Sequence, residues 1–351
     1  MRIILAPDSF KGSFSAEEIC RIMEDAIQSV RPDAELLSIP MADGGEGVTA
    51  AYLKILGGRR VELRVTGPLG EPVDAFYGML PDGSAAIEMA AAAGLPLMGS
   101  LRDPLRATTR GVGEMLLHAL EMGARRILLG LGGSATNDMG CGMAAALGWK
   151  FFDAAGEIEP LAENLLRVER IEPGAPFPVP VTAACDVQNP LLGERGATAV
   201  YGPQKGVTEE NYALLEGGLA NIARLLSLEE MPGAGAAGGL GAGVPAFLQG
   251  KLVPGIDMLL DATKFDDLLA QADLVITGEG RMDAQSANGK VPMGVGLRCK
   301  KAGVPCIAVC GSLGPGAQAM HAHGVTAMYA AAETGYAGAE DIRRATLKAL
   351  H

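Results

Sequence analysis

The stretch with the clearest chemical potential is the glycine-rich segment 130–138, Gly-Leu-Gly-Gly-Ser-Ala-Thr-Asn-Asp. It follows a short apolar run and precedes a predicted helix, so backbone N–H groups at the turn would point into one cavity. Glycines remove the Cβ atoms that would hold a phosphate away, Ser134 and Thr136 add hydroxyl donors, and Asp138 could hold a cation. We therefore predict a phosphate-binding loop, although a tight turn capped by Asn137 or Asp138 would use the same residue types.

The same segment also fits a dinucleotide-binding fingerprint. Gly130, Gly132 and Ala135 satisfy the pattern GxGxxA, and Asp153 lies 18 residues after Ala135. This alternative predicts an NAD(P)-dependent reductase of a small hydroxy acid. The match is weak, because the loop lies mid-chain and 150–153 is a marginal strand. A Walker A loop is missing, because Gly289-Lys290 is followed by valine and not by serine or threonine.

Three further glycine-containing loops carry charged residues, and each follows a predicted strand. Their sequences are Asp8-Ser-Phe-Lys11-Gly-Ser13, Met41-Ala-Asp43-Gly-Gly-Glu46-Gly47 and Thr277-Gly-Glu279-Gly-Arg281-Met-Asp283. Loops at the carboxyl ends of strands in an open α/β sheet converge on one crevice. Cations at this crevice would hold phosphates, and carboxylates would hold Mg²⁺ and orient a hydroxyl. Taken singly, each residue could equally be an exposed turn residue.

Two later segments each place one charged residue beside a turn. Asp186 ends the apolar run 179–184, which makes it a candidate base or Mg²⁺ ligand. Lys205 lies in Gly-Pro-Gln-Lys-Gly at 202–206, where it could clamp a phosphate or a carboxylate. Either residue could also belong to an exposed loop.

Composition excludes several classes of protein. The formal net charge is −12 and no basic face is evident, which argues against a nucleic-acid partner. Six cysteines without a CxxC pattern and only four histidines argue against a zinc site. The longest charge-free stretch, 231–250, contains seven glycines and two prolines, so it is not a membrane helix. We expect a soluble, cytoplasmic protein without a membrane partner.

Alternating strands and helices must position these loops. Apolar runs at 2–6, 126–130, 273–277, 304–309 and 325–330 predict buried strands, and amphipathic segments between them predict helices. Ser15 and Glu18 form a capping-box pattern before the first helix. This alternation predicts a parallel sheet covered by helices on both faces.

The middle of the chain is less regular. Short strand-like runs broken by Gly-Pro and Pro-Asp-Gly at 59–88 predict hairpins and a mixed sheet. The predicted fold is thus α/β with two domains, a Rossmann/flavodoxin-like parallel-sheet domain and an inserted second α/β domain that contains a mixed sheet. We predict that 1–67 and 286–351 form the first domain, that 68–285 forms the insert, and that the active site lies in the cleft between them.

Taken together and in order, these segments resemble the bacterial class I glycerate kinases. The matching stretches are APDSFKGS at 6–13, MADGGEG at 41–47, GPLG at 67–70, GGSATND at 132–138, CDVQNPLLG at 185–193, GPQKG at 202–206, AAGGLGAG at 236–243 and DLVITGEGR at 273–281, with Asp283, Gln285, Gly289 and Lys290. Met139 departs from the expected glycine, and the chain is short near 155–165 and after 332. The resemblance implies transfer of the ATP γ-phosphoryl group to a hydroxyl of D-glycerate, with Mg²⁺ as cofactor. It favours the 2-hydroxyl and leaves 3-phosphoglycerate as the alternative product.

The predicted site residues fall into four roles. The catalytic residues are Asp186, Lys11, Lys205 and Arg281; the ATP-binding residues are Gly132, Gly133, Ser134, Thr136, Asn137 and Lys290; the substrate-binding residues are Asp8, Ser9, Asp43, Glu46, Gln204 and Asp283; and the metal ligands are Asp138 and Asp186. The expected partners are D-glycerate and ATP. The sequence leaves both a monomer and a homodimer open.

Overall fold

The computed structural model describes residues 1–10, 12–41, 47–287, 289–332 and 336–350. The strands are β1 (Arg2–Pro7), β2 (Glu35–Ser38), β3 (Arg59–Thr66), β4 (Pro72–Met79), β5 (Ser84–Glu88), β6 (Arg126–Gly130), β7 (Lys150–Asp153), β8 (Gly156–Ile158), β9 (Arg170–Glu172), β10 (Val181–Ala184), β11 (Lys251–Val253), β12 (Leu274–Gly278), β13 (Arg281–Met282), β14 (Cys306–Cys310), β15 (Ser312–Leu313) and β16 (Ala327–Ala330). The α-helices are α1 (Ala16–Val30), α2 (Val48–Leu56), α3 (Ala90–Ala93), α4 (Arg110–Glu121), α5 (Cys141–Ala146), α6 (Ala197–Lys205), α7 (Glu209–Leu225), α8 (Leu240–Leu248), α9 (Gly255–Ala262), α10 (Phe265–Leu269), α11 (Val291–Ala302) and α12 (Ala339–Lys348). Short 3₁₀ helices span Leu95–Met98, Ala162–Arg167, Ala236–Gly239, Ala284–Ala287 and Ala317–His323.

The chain divides into two compact units. Unit 1 consists of Met1–Asp43 and Gly255–His351, and unit 2 of Gly44–Pro254. These boundaries differ from those predicted, which placed 44–67 in the first domain and 255–285 in the insert. Strand pairing explains both differences, because β3 pairs with β4 within unit 2 and β12 pairs with β1 within unit 1.

Unit 1 is built on a five-stranded sheet in the order β16-β14-β12-β1-β2. Every pair in this sheet is parallel. Ile3, Ile4 and Leu5 of β1 are fully buried, as expected of a parallel strand that helices cover on both faces. The strand order is that of a flavodoxin-like doubly wound sheet, so the predicted parallel-sheet domain is confirmed.

Helix α1 follows β1 and shows how local sequence fixes an element. The Ser15 hydroxyl accepts from Glu18 N–H, and the Glu18 carboxylate accepts from Ser15 N–H, which confirms the predicted capping box. Ile19, Met23 and Ile27 recur at helical spacing and are fully buried, so this stripe covers the sheet. Val30 continues the spacing but is exposed in the last turn.

Unit 2 is built on a six-stranded mixed sheet in the order β11-β10-β6-β5-β4-β3. The pairs β3–β4 and β4–β5 are antiparallel, and the other pairs are parallel. The predicted hairpins at 59–88 and the mixed sheet are therefore confirmed. A separate antiparallel sheet has the order β8-β7-β9.

The connection between β15 and β16 contains a 3₁₀ helix, Ala317–His323, with left-handed glycines, Gly316 and Gly324, at its two ends. All six cysteines are buried free thiols. Among the described residues, no helix combines the length and the apolar character needed to cross a bilayer.

Candidate functional site

The glycine-rich loop connects β6 to α5 in unit 2, with Leu131 as its first residue. The neighbouring segment around residue 94 anchors it, because Ala135 N–H donates to Ala93 O at 2.8 Å and Leu95 N–H donates to Gly133 O at 2.9 Å. Gly133 has φ of 73°, a left-handed conformation that favours glycine. The loop is therefore held in one conformation by backbone hydrogen bonds before it reaches the helix.

The carboxylate of Asp138 holds the far end of this loop. It accepts hydrogen bonds from the N–H and hydroxyl of Thr109 at 2.8 and 2.7 Å, and from the N–H groups of Gly140 and Gly142 at 3.1 and 3.2 Å. Burial raises the pKa of Asp138, and these four donors act against that rise. The sequence predicts a metal ligand at this residue, whereas the structure makes it a fully buried anchor between the loop and α4. A metal ion would have to displace backbone donors in order to reach it.

The ammonium group of Lys205 lies under the loop. Its Nζ donates to Ser134 Oγ at 2.7 Å and to Thr136 O at 2.8 Å, and the residue is only 1% exposed. Lys205 is the last residue of α6, followed by the left-handed Gly206. Burial lowers its pKa to about 7, while the negative charge of Asp138 opposes this shift.

These groups line a cavity of about 210 Å³. Its lining residues are Leu131, Gly132, Gly133, Ser134, Ala184, Cys185, Asp186, Val187, Tyr201, Lys205, Ala236 and Ala237. Asp186 follows the end of β10 and is the carboxylate of this lining. The structure thus brings together five of the predicted site residues, namely Gly132, Gly133, Ser134, Asp186 and Lys205. An ammonium group, a hydroxyl group and a glycine-lined backbone suit an anionic ligand.

Two polar atoms behind the cavity have no hydrogen-bond partner among the described residues. They are Thr136 Oγ1 and Asn137 Oδ1, and both residues are fully buried. The other end of the Asn137 side chain donates to Thr198 Oγ1 on α6 at 3.3 Å. Buried polar groups in native proteins are usually paired, so these two atoms are exceptions within the loop.

The segment Ala236–Gly239 packs against the loop at very close range. A Cβ atom on Gly238 would lie 1.9 Å from Thr136 O, the carbonyl that accepts from Lys205. Gly238 also has φ of 66°. Only glycine therefore allows this contact. In the sequence this contact lies in the AAGGLGAG stretch at 236–243. Composition alone does not reveal that this stretch packs against the loop.

The geometry does not support the dinucleotide-binding alternative. In that fold the acidic residue follows the next strand of the same parallel sheet. Here Asp153 ends β7, which belongs to the small antiparallel sheet, and its carboxylate pairs with Arg167. The strands that pair in parallel with β6 are instead β5 and β10.

The remaining predicted residues lie elsewhere or outside the described structure. Asp8, Ser9, Arg281, Asp283 and Lys290 belong to unit 1, where Arg281 Nε lies 3.5 Å from Asp283 Oδ2. Gln204 is exposed on α6 and does not line the cavity. The predictions at Lys11, Asp43 and Glu46 fall outside the described residues.

Sequence reasoning assigned no role to Thr109 or Tyr201 and no individual role to Glu279. Thr109 and Tyr201 carry no charge and lie outside the quoted motifs, so no local pattern marks them. In the structure Thr109 holds Asp138, and Tyr201 lines the cavity. Glu279 carries a signal, a carboxylate directly after a predicted strand, and it is buried at 5% exposure with Lys290 Nζ 3.3 Å from its Oε2.

Comparison with known proteins identifies the family. A model described as the glycerate kinase family matches residues 3–349. The chain belongs to the glycerate kinase family. It is 46% identical to a glycerate kinase from Bacillus cereus, over 94% of this chain and 90% of that protein. It is 43% identical to a glycerate 2-kinase from Escherichia coli, over 94% and 90% of the two chains.

A solved structure agrees with this assignment. A protein of Salmonella typhimurium LT2, provisionally named glycerate kinase 2, superimposes with a TM-score of 0.87 at 40% identity, over 99% of this chain and 97% of that one. The glycerate kinase family, and not the reductase alternative, therefore accounts for both the sequence and the fold.

The close approach of Gly238 to the loop can be tested by substitution. Gly238→Ala combines a left-handed φ, which costs a non-glycine residue about 1–2 kcal/mol, with a clash against Thr136 O. We expect a larger loss in the free energy of unfolding than for Gly123→Ala, whose φ is 87° but whose Cβ would meet nothing within 4 Å. We also expect Gly238→Ala, and not Gly123→Ala, to weaken nucleotide binding. Urea unfolding and calorimetry measure the two effects, and equal losses in both variants would contradict this interpretation.

The buried Lys205 predicts a pH dependence of stability. Between about 7 and its ordinary value of 10.5, the unfolded chain carries a proton on this lysine that the folded chain lacks. The free energy of unfolding therefore gains a contribution that rises with pH across this window and is lowest below pH 7. Lys205→Met removes the contribution and leaves the other titrating groups in place. In urea unfolding, the stability of the variant relative to the wild-type protein should fall as pH rises from 7 to 10, and a constant difference would refute the low pKa.

Proposed function

We propose that this chain transfers the γ-phosphoryl group of ATP to the 2-hydroxyl group of D-glycerate, giving 2-phosphoglycerate and ADP. Membership of the glycerate kinase family supports the reaction class, and the name of the Escherichia coli relative supports the 2-position. The structural observation that carries the proposal is the buried ammonium group of Lys205 beneath a glycine- and serine-lined cavity. A buried cation next to open backbone suits the phosphates of a nucleotide.

In the proposed reaction the substrate hydroxyl oxygen forms a bond to the γ-phosphorus, and the bond from this phosphorus to the ADP oxygen breaks. The hydroxyl proton leaves to a carboxylate or to water. Phosphoryl transfer passes through a loose transition state, so positioning and charge neutralisation supply most of the catalysis. Lys205, fixed by Ser134 Oγ and Thr136 O, would provide a preorganised positive charge for the phosphates.

Among the described residues that line the cavity, Asp186 is the one that offers a carboxylate to Mg²⁺. Asp186 is the carboxylate that lines the cavity, and Mg²⁺ at phosphate sites commonly takes one or two carboxylates together with phosphate oxygens and water. Asp138 does not fit, because backbone donors and Thr109 already engage its carboxylate. When bound, Mg²⁺ would neutralise phosphate charge. We propose that Asp186 binds Mg²⁺. Its second proposed role is to accept the proton of the substrate hydroxyl.

Further cations remain part of the proposal. Lys11, Arg281 and Lys290 are proposed to neutralise phosphate charge or to bind the glycerate carboxylate. Arg281 and Lys290 are both within reach of acidic partners in unit 1, Asp283 and Glu279 respectively. Their charges are therefore partly balanced before any anion binds.

The identity of the product decides the proposed function. Incubation of the full chain with D-glycerate and Mg-ATP, followed by phosphorus NMR, should give ADP and 2-phosphoglycerate. 3-Phosphoglycerate would contradict the regiochemistry and leave the kinase assignment standing. Neither isomer, with ATP unchanged, would refute the proposed function. A parallel incubation with NADH or NADPH and hydroxypyruvate, read by absorbance, should show no oxidation of the nicotinamide.

Kinetics separate the roles of Lys205 and Asp186. Because charge neutralisation should matter more than proton removal, Lys205→Met should lower kcat by a factor on the order of 10²–10³, more than Asp186→Asn does. A Mg²⁺ ligand role predicts that Asp186→Asn raises the Mg²⁺ concentration needed for half-maximal rate. A role as proton acceptor predicts a lower kcat at saturating Mg²⁺. Circular dichroism checks that both variants fold, and the reverse ranking of kcat losses would contradict the assignment.

A further inference from the structure

The sheet of unit 1 has a topological switch point. From β1 the chain proceeds to β2 on one side, whereas β12, β14 and β16 follow one another on the other side. The order therefore reverses between β1 and β12. In open α/β sheets, ligands bind at the carboxyl ends of the strands that flank such a reversal.

A carboxylate-bearing residue follows each of these two strands. Pro7 and Gly278 are register partners at the strand ends, and Asp8 and Glu279 come directly after them. Asp8 N–H donates to Gly278 O at 2.8 Å, so the pairing continues into the two loops. Both residues are buried, with exposures of 7% and 5%. Each of the two strand ends at the switch point is thus followed by a buried acidic residue.

The carboxylate of Glu279 is only half satisfied. Lys290 Nζ lies 3.3 Å from Oε2, whereas Oε1 is buried and has no partner in hydrogen-bonding geometry among the described residues. Burial raises the pKa of Glu279, and the Ser286 hydroxyl and the charge of Lys290 act in the opposite direction. A buried acceptor without a donor is unfavourable, and a ligand that supplies the donor removes this cost.

The chemistry of this acceptor selects its ligand. A phosphate would meet a like charge at Glu279. A divalent metal ion would need further ligands, and the described residues contain no cluster of three or more histidine, cysteine or acidic side chains able to hold one. A hydroxyl group brings the missing donor without a negative charge. Lys290, paired with the other carboxylate oxygen, remains close enough to favour an adjacent acid group.

We propose that Glu279, next to Asp8 at the switch point of unit 1, binds a hydroxyl group of D-glycerate and so selects a dihydroxy acid over its deoxy analogues. This inference rests on the proposed function and names the residue that would recognise the substrate. A site whose buried group hydrogen-bonds a substrate hydroxyl discriminates strongly against analogues that lack it, because the group is then left unpaired.

A substrate–variant cycle tests the inference. D-Glycerate, D-lactate (without the 3-hydroxyl) and 3-hydroxypropanoate (without the 2-hydroxyl) are titrated by calorimetry into the full chain, in the presence of Mg²⁺ and the non-transferring methylene analogue of ATP. Glu279→Gln should weaken D-glycerate binding about 10- to 100-fold, the loss expected for a hydrogen bond to a charged group. One of the two deoxy analogues should bind the wild-type protein and the variant equally, because it lacks the hydroxyl that Glu279 binds.

Matched controls keep the result interpretable. Glu35→Gln makes the same chemical change at an exposed glutamate of the same sheet, also paired with a cation, and should alter none of the affinities. Glu279→Asp keeps the negative charge and shifts the acceptor, so it should show the same selective loss if Glu279→Gln does not fold. The inference would be overturned if Glu279→Gln lost affinity equally for all three acids or for none of them. A weaker affinity for Mg²⁺ with unchanged affinity for the acids would also overturn it. Failure of the wild-type protein to phosphorylate D-glycerate would refute the proposed function. If the wild-type protein is active and the Glu279 variants bind D-glycerate with unchanged affinity, only the role of Glu279 is refuted.

Discussion

The candidate site of unit 2 depends on the burial of one ammonium group. Lys205 is 1% exposed, and its hydrogen bonds go to one hydroxyl and one carbonyl of the glycine-rich loop. A lone buried cation is expensive, which is why its pKa falls to about 7. An anionic ligand would reverse this penalty by favouring the protonated form. The buried ammonium group therefore favours an anionic partner such as the proposed phosphate, and its hydrogen bonds require a loop that stays in place.

Asp138 explains why the loop stays in place. Its carboxylate joins Thr109, at the start of α4, to the backbone of Gly140 and Gly142, so it connects two segments that are distant in sequence. The close packing of Gly238 on Thr136 O holds the loop from the other side. A carboxylate next to a glycine-rich loop looks like a metal ligand in sequence. The hydrogen bonds that Asp138 accepts tie it to Thr109 and to the loop, whereas Asp186 lines the cavity and is the residue proposed above to bind Mg²⁺.

Sequence reasoning reached the fold and part of the site, for physical reasons that differ between residues. Strand β6 and the capping box of α1 depend on local patterns, so they could be predicted almost to the residue. The contact of Ser134 with Lys205 joins residues 71 positions apart, so no local pattern predicts it. The choice between Asp138 and Asp186 depends on which of the two carboxylates already accepts hydrogen bonds from backbone N–H groups. The domain boundaries depended on strand partners, β3 with β4 and β12 with β1, which periodicity does not encode.

The two units offer complementary chemistry at equivalent places in their sheets. In unit 2 the cavity beside the ends of β6 and β10 is lined by the ammonium group of α6, a hydroxyl and glycine backbone, all of which suit a polyanion. In unit 1 the ends of β1 and β12 present buried carboxylates, one oxygen of which has no donor among the described residues. A bare phosphate would meet a like charge at Glu279, whereas a hydroxyl group would supply the donor that its Oε1 lacks. The two places therefore favour different groups, a polyanion at the first and a hydroxyl donor at the second.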